Sequence, residues 1–222
     1  MAPSVKKHPC LKDLAQSVKD MQRRGLKGRD AARAFVDALV KCAIAAVASD
    51  FDKTMIHLHS GGSARPTDLA VLGGMTQDFH ALGDELASRN IPLTVVTFSD
   101  EGENRNGRLA GKALVEATLK ESGAKFGVAG VCGRYPVFYS EPDEYSKVGL
   151  TAPMSTDKSY HLEKMSEVTG VPIDKMVLLD DDMNNCLSFF KKGGVAVFVG
   201  GHDGFNFAHL HVITKMSLVL PD

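Results

Sequence analysis

The feature of this 222-residue sequence that most limits its fold is a repeated alternation between short apolar segments and amphipathic segments. Helical patterns lie between the apolar segments, because apolar residues recur there at three- and four-residue intervals. This order predicts an α/β fold, with a Rossmann-like parallel sheet that helices cover on both faces. The segments with the length and composition of buried strands are CAIAAVAS, IPLTVVT, GVAGVC, KMVLLD and VAVFVG.

The helical patterns between these strands have recognisable ends. The spacing of apolar residues predicts helices over Thr76–Arg89, Arg108–Ser122, Thr156–Gly170 and Met183–Lys192. Glycine closes or follows the last three, as expected where a chain leaves a helix in the left-handed conformation. No repeat period emerges along the chain, so a repeat architecture is not expected.

Two further amphipathic patterns precede the first predicted strand and predict an N-terminal helical pair. Gly25 and Gly28 separate the two patterns. We therefore expect residues 1–42 to form a helical extension that packs on a domain of residues 43–222. The apolar residues of the two helices are Leu11, Leu14, Ala15, Val18 and Met21, then Ala31, Ala32, Phe35, Val36, Leu39 and Val40.

Composition and charge narrow the class of protein. Hydrophobic residues make up 44% of the chain and charged residues 24%, which is typical of a globular protein. The net charge of −1 provides no overall field that attracts a polyanion, so a nucleic-acid partner is not expected. Residues 1–49 nevertheless carry about six excess positive charges, which we interpret as solvated helix faces.

The expected location of the protein follows from segments that the sequence lacks. No apolar run near the acidic motif approaches the roughly 20 residues of a membrane-spanning helix, and the N-terminus has no apolar segment typical of a secretory signal. The four cysteines, at positions 10, 42, 132 and 186, lie far apart and lack zinc-site spacing. We expect four free thiols and a cytoplasmic protein without a membrane partner.

Acidic and hydroxyl side chains collect where predicted strands end. Asp50 and Asp52 follow the first strand, and Thr97 ends the second. Asp180 and Asp181 end a later strand. Because the carboxyl ends of parallel strands meet at one edge of a sheet, we expect these side chains to lie within reach of one small ligand.

Such a cluster of carboxylates requires positive charge, since neighbouring carboxylates raise one another's pKa. A metal ion and Lys158, at the start of a predicted helix, are the candidates. Mg²⁺ fits best, because it takes oxygen ligands, whereas zinc prefers the His and Cys ligands that are missing here. A carboxylate beside Mg²⁺ can attack a phosphoryl group, and a second acid nearby can protonate the leaving group and then activate water.

Four motifs, in this order along the chain, resemble those of the haloacid dehalogenase (HAD) superfamily of phosphohydrolases. DFDKT is similar to its DxDxT motif, TVVTFSD to its strand that ends in Thr or Ser, DKSYHLEKM to its helix-borne lysine, and VLLDDDMNN to its acidic fourth motif. One short motif would carry little weight, whereas four in order are specific. The resemblance covers about residues 43–200 and implies a HAD-like catalytic domain.

The resemblance implies a role for each matching residue. Asp50 would be the nucleophile and Asp52 the general acid and base. Thr97 would hydrogen-bond the transferring phosphoryl group, and Lys158 would neutralise its charge. The implied Mg²⁺ ligands are Asp50, Asp52 through its backbone carbonyl, Asp180 and Asp181.

Two of these assignments have competitors in the sequence. Ser99 is an alternative to Thr97, although Thr97 directly ends the apolar run. Lys147 and Lys164 are alternatives to Lys158, which alone stands at a helix start after a predicted turn. The choice in each case depends on which side chain faces the acidic cluster.

Other polar residues near the motifs have undecided roles. Asp182 either ligates the metal or caps the helix that follows, and Asn184 or Asn185 can support the metal site. Residues 55–62, MIHLHSGG, form what we call the flap. Strand alternation would place His57 and His59 of the flap on one side, either against a substrate or simply in solvent.

The segments after the first two motifs, where HAD proteins carry substrate-selecting cap domains, are short in this chain. The resemblance therefore implies a capless or minimally capped protein, similar to small magnesium-dependent phosphatases. In capless members of the superfamily, oligomerisation can close the site, so a homo-oligomer is possible. Arg105, Arg108 and Arg134 are candidates for contact with an anionic substrate.

These features predict a Mg²⁺-dependent phosphatase that hydrolyses a phosphate monoester through an aspartyl-phosphate. Its partner would be a phosphorylated substrate, either a small molecule or a macromolecule. The alternatives are a phosphotransferase, a protein or polynucleotide phosphatase, and a non-catalytic phosphate-binding or scaffold protein. The presence of Asp52 argues against the last alternative, because binding alone does not need a general acid.

Overall fold

The computed structural model describes residues 8–104 and 106–216, and its centre is a six-stranded sheet. The strands of the described residues are, in chain order, β1 (Ala46–Ser49), β2 (Ser63–Ala64), β3 (Leu93–Thr97), β4 (Leu109–Ala110), β5 (Gly130–Gly133), β6 (Met176–Asp180), β7 (Val195–Val199) and β8 (Leu210–Val212). The main sheet has the spatial order β5-β3-β1-β6-β7-β8. All its neighbouring pairs are parallel except β7 and β8, which are antiparallel.

The five parallel strands coincide with the five apolar segments, so the prediction of an α/β fold with a parallel sheet is confirmed. Every residue of β1, β3 and β6 is buried. Strands covered on both faces read as nearly continuous apolar runs, which is why these segments stand out in the sequence. The arrangement is compatible with a Rossmann-like fold.

The helices follow the amphipathic patterns closely. Thr76 caps the helix Gln77–Ser88 by accepting a hydrogen bond from Phe79 N–H, and Gly170 ends a later helix with a φ of +68°. The helices of the described residues are α1 (Leu11–Arg23), α2 (Gly28–Lys41), α3 (Leu69–Leu72), α4 (Gln77–Ser88), α5 (Gly111–Glu121), α6 (Pro142–Tyr145), α7 (Ser159–Thr169) and α8 (Met183–Lys191). None of them is long and apolar enough to span a membrane.

The helices cover the sheet from both sides. Right-handed crossovers place α4 and α5 on one face and α7 and α8 on the other. The predicted N-terminal pair is present, with α2 packed against α4 and α1 against β8. Leu14 and Phe35 of this pair belong to the same cluster of buried residues as Val47 and Val177 of the sheet. Nothing in this packing tests the division at residue 42, which stays a prediction.

Two segments differ from the sequence prediction. The helix expected from Arg108 begins at Gly111, because β4 pairs with β2 in a separate two-stranded antiparallel sheet. Strand β8 was not predicted, since it has only three residues and contains His211. Its pairing with β7 depends on contacts between strands, which local sequence patterns do not report.

The expectation of four free thiols is wrong for Cys10 and Cys42, which form a disulfide. Cys10 directly precedes α1 and Cys42 directly follows α2, and the packing of these helices brings the two Cα atoms within 5.5 Å. Their separation of 32 positions conceals this proximity in the sequence. Cys132 and Cys186 are buried free thiols. The expectation of a reducing compartment rested on four free thiols, so with this disulfide the cysteines no longer support it.

We predict that Cys10→Ser lowers the free energy of unfolding by about 2–4 kcal/mol without reductant, because the disulfide restricts the unfolded chain. Urea denaturation with and without reductant measures the effect, which should vanish in reductant. Cys132→Ser is the control, since any loss of stability at this buried free thiol should persist in reductant. Titration of four thiols rather than two in denaturant without reductant would contradict the disulfide.

Candidate active site

The carboxyl edge of the sheet brings the predicted acids together. Ser49 of β1 pairs with Leu179 of β6, so Asp50 and Asp180, the next residues on each strand, leave the sheet side by side. The Asp50 N–H also donates to the Leu179 carbonyl, at 2.8 Å. Chain order reverses between β1 and β6, and the crevice at such a reversal is where open parallel sheets bind ligands.

Lys158 supplies a buried ammonium to this crevice, and Lys53 also lines the cavity. Lys158 directly precedes α7, and its side chain is only 1% exposed. Its ammonium forms a short ion pair with Asp50, donates to the Val96 carbonyl at 2.6 Å and lies 3.7 Å from an Asp180 oxygen. Burial disfavours the charged ammonium, but the carboxylates of Asp50 and Asp180 outweigh it and raise the pKa of Lys158.

The competing lysines lie elsewhere. Lys147 pairs with Glu144 at 2.8 Å, and Lys164 pairs with Glu167 at 2.9 Å, in both cases at the surface. Lys158 is therefore the one of the three that contacts the acidic cluster.

Asp50, Asp180 and Asp181 form a compact acidic cluster, in which each carboxylate offers an oxygen within 4.8 Å of the others. Burial raises the pKa of Asp180 and of Asp181, that of Asp181 to about 6, and the nearby Asp50 raises both further. One ammonium cannot balance three carboxylates. An all-oxygen donor set with excess negative charge fits Mg²⁺, so the residues present suit the predicted ion.

Asp52 lies in the same cavity but outside the acidic cluster. Ser60 of the flap donates to its carboxylate twice, from the backbone N–H and from the hydroxyl, each at 3.0 Å. His59 Nδ1 lies 3.0 Å from the same carboxylate. Burial raises the pKa of Asp52, while the two Ser60 hydrogen bonds oppose this shift. Ser60 was not predicted from the sequence as a partner of Asp52.

The two flap histidines do not act as a pair. Residues 57–58 form a bend and residue 59 is irregular, so the strand pairing of the flap is limited to the single bridge between Ile56 and Met75. His57 turns away and places its Nδ1 2.8 Å from the Gly74 carbonyl, whereas His59 borders the cavity. The expectation that both histidines share one side of a strand is therefore wrong.

The structure separates the two candidate hydroxyls. The Ser99 hydroxyl donates to the Gly62 carbonyl and accepts from the Gly111 N–H at 2.6 Å, so it holds loops together. Both residues line the cavity, but the Thr97 hydroxyl accepts from the Ser99 N–H at 3.3 Å and donates to no described residue. Its proton is available to a ligand, which makes Thr97 the better candidate of the two.

Polar residues around the acidic cluster orient its carboxylates. Asn185 donates to both oxygens of Asp180 at 3.2 Å, and the Thr54 hydroxyl donates to Asp181 at 3.3 Å. Asp182 caps α8 by accepting from the Asn184 N–H at 2.8 Å. The cap explains the third acid of the DDD sequence without a metal contact.

The predicted arginines are engaged in other contacts or lie outside the described residues. Arg108 donates to the hydroxyl and carbonyl of Ser63, and Arg134 pairs with Glu101 at 2.8 Å. Arg105 lies outside the described residues. Among the residues that the structure describes, no arginine lines the cavity.

The cavity above these groups has a volume of about 520 Å³, within the range of small-molecule sites. It contains Asp50, Asp52, Thr97 and Lys158 in its lining, together with the acids that end β6. All the catalytic and metal-binding residues predicted from the sequence therefore line the cavity. Four lining residues were not predicted as site residues, namely the charged Lys53 and Glu103 and the aromatic Phe98 and Tyr135.

Neither the known protein-family models nor the curated proteins give a significant match to this chain.

Replacement of Lys158 by Met should lower the free energy of unfolding by about 3–5 kcal/mol without divalent metal, because buried carboxylates lose their cation. Lys164→Met, on the helix that Lys158 precedes, is the matched control. Lys164 makes an exposed ion pair, so its loss should cost less than about 1 kcal/mol. Chemical denaturation measures both, and equally small losses would contradict an ionic role for Lys158.

Mg²⁺ should stabilise the folded protein by about 2.7 kcal/mol at 100 times its dissociation constant, because it binds the folded acidic cluster. Asp181→Asn removes one ligand and should abolish most of this increase. Asp182→Asn should retain it, since Asn caps helices as well as Asp does. Thermal unfolding at increasing Mg²⁺ concentration measures the effect, and a wild-type midpoint independent of Mg²⁺ would contradict the metal site.

Proposed function

We propose that this chain is a Mg²⁺-dependent phosphatase of the HAD type that hydrolyses a phosphate monoester through an aspartyl-phosphate. The observation that carries the proposal is the buried ammonium of Lys158 between Asp50 and Asp180. A metal site alone needs no buried lysine. A site that holds a phosphoryl group beside a nucleophilic carboxylate needs fixed positive charge on that group.

The four-motif resemblance supports the same assignment, because its residues converge on one cavity although they are dispersed from position 50 to position 181. Mg²⁺, when held by Asp50, Asp180 and Asp181, would supply further positive charge for the phosphoryl oxygens. Asn185 and Thr54 already fix the orientation of Asp180 and Asp181.

In the first step, a carboxylate oxygen of Asp50 attacks phosphorus and forms an acyl-phosphate bond, while the bond from phosphorus to the leaving oxygen breaks. Asp52 gives its proton to that oxygen, so the leaving group departs as an alcohol. Lys158 and the Thr97 hydroxyl donate hydrogen bonds to the transferring group. These donors are in place before the reaction, since the Lys158 side chain is fully packed.

In the second step, the Asp52 carboxylate takes a proton from water, and the water oxygen attacks phosphorus. The bond between phosphorus and Asp50 breaks, which releases inorganic phosphate and restores the Asp50 carboxylate, while Asp52 is again protonated. The two hydrogen bonds from Ser60 hold the Asp52 side chain in the cavity for both steps.

The proposal is tested by Mg²⁺-dependent release of phosphate from p-nitrophenyl phosphate. Asp50→Asn should lower kcat at least about 10³-fold, because it removes the nucleophile. Asp52→Asn should lower kcat about 10²- to 10⁴-fold for alkyl phosphates and also for this activated ester, because the activated ester needs little acid in the first step but still needs the Asp52 base in the second. Asp182→Asn, two residues from the acid that ends β6, is the control and should stay close to wild type.

Two results would contradict the proposal. No turnover with any divalent metal, in a protein of intact fold, would exclude the phosphatase and favour a non-catalytic phosphate-binding protein. Loss of activity in Asp52→Asn together with retention in Asp50→Asn would show that the nucleophile is assigned to the wrong acid. Trapping of radioactive phosphate on the protein in acid separates these cases, because only the nucleophile becomes phosphorylated.

A further inference from the structure

One wall of the candidate active site is aromatic and continues to the protein surface. Phe98 and Tyr135 line the cavity with their ring centroids 6.3 Å apart, and Phe138 packs edge-on against Tyr135 at 5.3 Å. We call these three residues the aromatic wall. Every other described residue that lines the cavity is polar, charged or glycine. In this part of the chain, the cavity thus has a polar floor for a phosphoryl group and one apolar contact surface.

The aromatic wall begins beside the reacting groups. The Lys158 ammonium lies 4.7 Å from the centroid of the Phe98 ring, a distance at which a cation is attracted to a ring face. His161 covers another part of the same ring, with centroids 5.4 Å apart. Phe98 is therefore packed on its inner side, and Tyr135 presents the free aromatic surface next to it.

The outer part of the aromatic wall is exposed. Tyr135 is 40% exposed and Phe138 43%, and the neighbouring Val137 is 63% exposed. Only seven large apolar side chains are exposed among the described residues, and these three fall within positions 135–138, of which Tyr135 lines the cavity and Phe138 packs against Tyr135. Apolar side chains concentrated beside a catalytic cavity, rather than scattered over a surface, indicate contact with a ligand.

The segment that carries Tyr135 is held firmly despite this exposure. The buried Asp100 accepts from the Tyr135 N–H at 3.0 Å, and His161 Nε2–H donates to the Arg134 carbonyl at 2.9 Å. Gly133 brings the segment close to the next loop, since a Cβ there would lie 2.5 Å from the Ser99 carbonyl oxygen. A fixed aromatic surface binds a ring with little loss of conformational entropy.

We propose that the aromatic wall binds a planar ring in the leaving group, so that the favoured substrate is a small phosphate monoester with an aromatic ring close to its ester oxygen. This inference rests on the proposed function. The phosphoryl group would occupy the polar floor at Lys158 while the ring stacks on Tyr135, where offset or edge-to-face contacts are favourable. Tyr135 acts here as a specificity-determining residue and takes no part in the bond changes.

The test compares two substrates whose leaving alcohols have similar basicity, benzyl phosphate and cyclohexylmethyl phosphate. Wild-type protein with Mg²⁺ should have a kcat/KM about 10-fold higher for benzyl phosphate. Tyr135→Ala should lower the benzyl value about 10-fold and change the cyclohexylmethyl value less than about 3-fold, whereas Tyr135→Phe should keep the wild-type ratio. Val168→Ala, a change at an exposed apolar residue of α7, is the control and should affect neither value.

A binding measurement keeps the inference testable if no substrate is turned over. Benzylphosphonate and cyclohexylmethylphosphonate, which cannot be hydrolysed, are titrated into wild-type and Tyr135→Ala protein by calorimetry with Mg²⁺ present. A preference for the benzyl compound that Tyr135→Ala removes would support the inference even without turnover. Equal affinities for the two phosphonates, or equal losses of affinity for both in Tyr135→Ala, would overturn the inference. Efficient turnover of both phosphate esters with no preference for the ring would also overturn it, but would leave the phosphatase proposal intact.

Discussion

The candidate site depends on one buried ammonium, that of Lys158, which is stable only because three strand ends supply acceptors around it. Asp50 follows β1, the Val96 carbonyl belongs to β3, and Asp180 ends β6. A lysine without such partners would lose its proton on burial. Since a shift of one residue in strand register would turn these side chains to other faces, the alignment of the sheet and the charge balance of the site constrain each other.

Much of this arrangement was predictable because its signals are local. Strands buried on both faces are apolar along their whole length, and the acids stand directly at their ends. The parallel sheet was therefore confirmed strand by strand, and the polar floor of the cavity contains Asp50, Thr97, Lys158 and Asp180. Their chemical roles stay predictions. The capping role of Asp182 was one of two alternatives, and the hydrogen bond from Asn184 N–H shows that it caps.

The features that the sequence did not reveal depend on contacts between distant segments. Cys10 and Cys42 become neighbours only when two helices pack against each other. The flap pairs with a distant segment only at the bridge between Ile56 and Met75, so strand alternation does not fix the directions of His57 and His59. The aromatic wall lies partly in an irregular segment, where no periodicity indicates which side chains face the cavity. Tyr135 reaches it through the buried Asp100, more than thirty residues earlier.

The contact between α1 and β8 has a consequence for the whole molecule. The Gln22 side-chain amide donates to the backbone carbonyls of Phe207 and Leu210, at 3.2 and 2.9 Å. The Gln22 amide thus occupies the carbonyl of the first residue of β8 and that of Phe207, three positions earlier. The N-terminal helix α1 therefore covers part of the edge strand of the main sheet, where exposed backbone groups would otherwise be open to pairing with another strand.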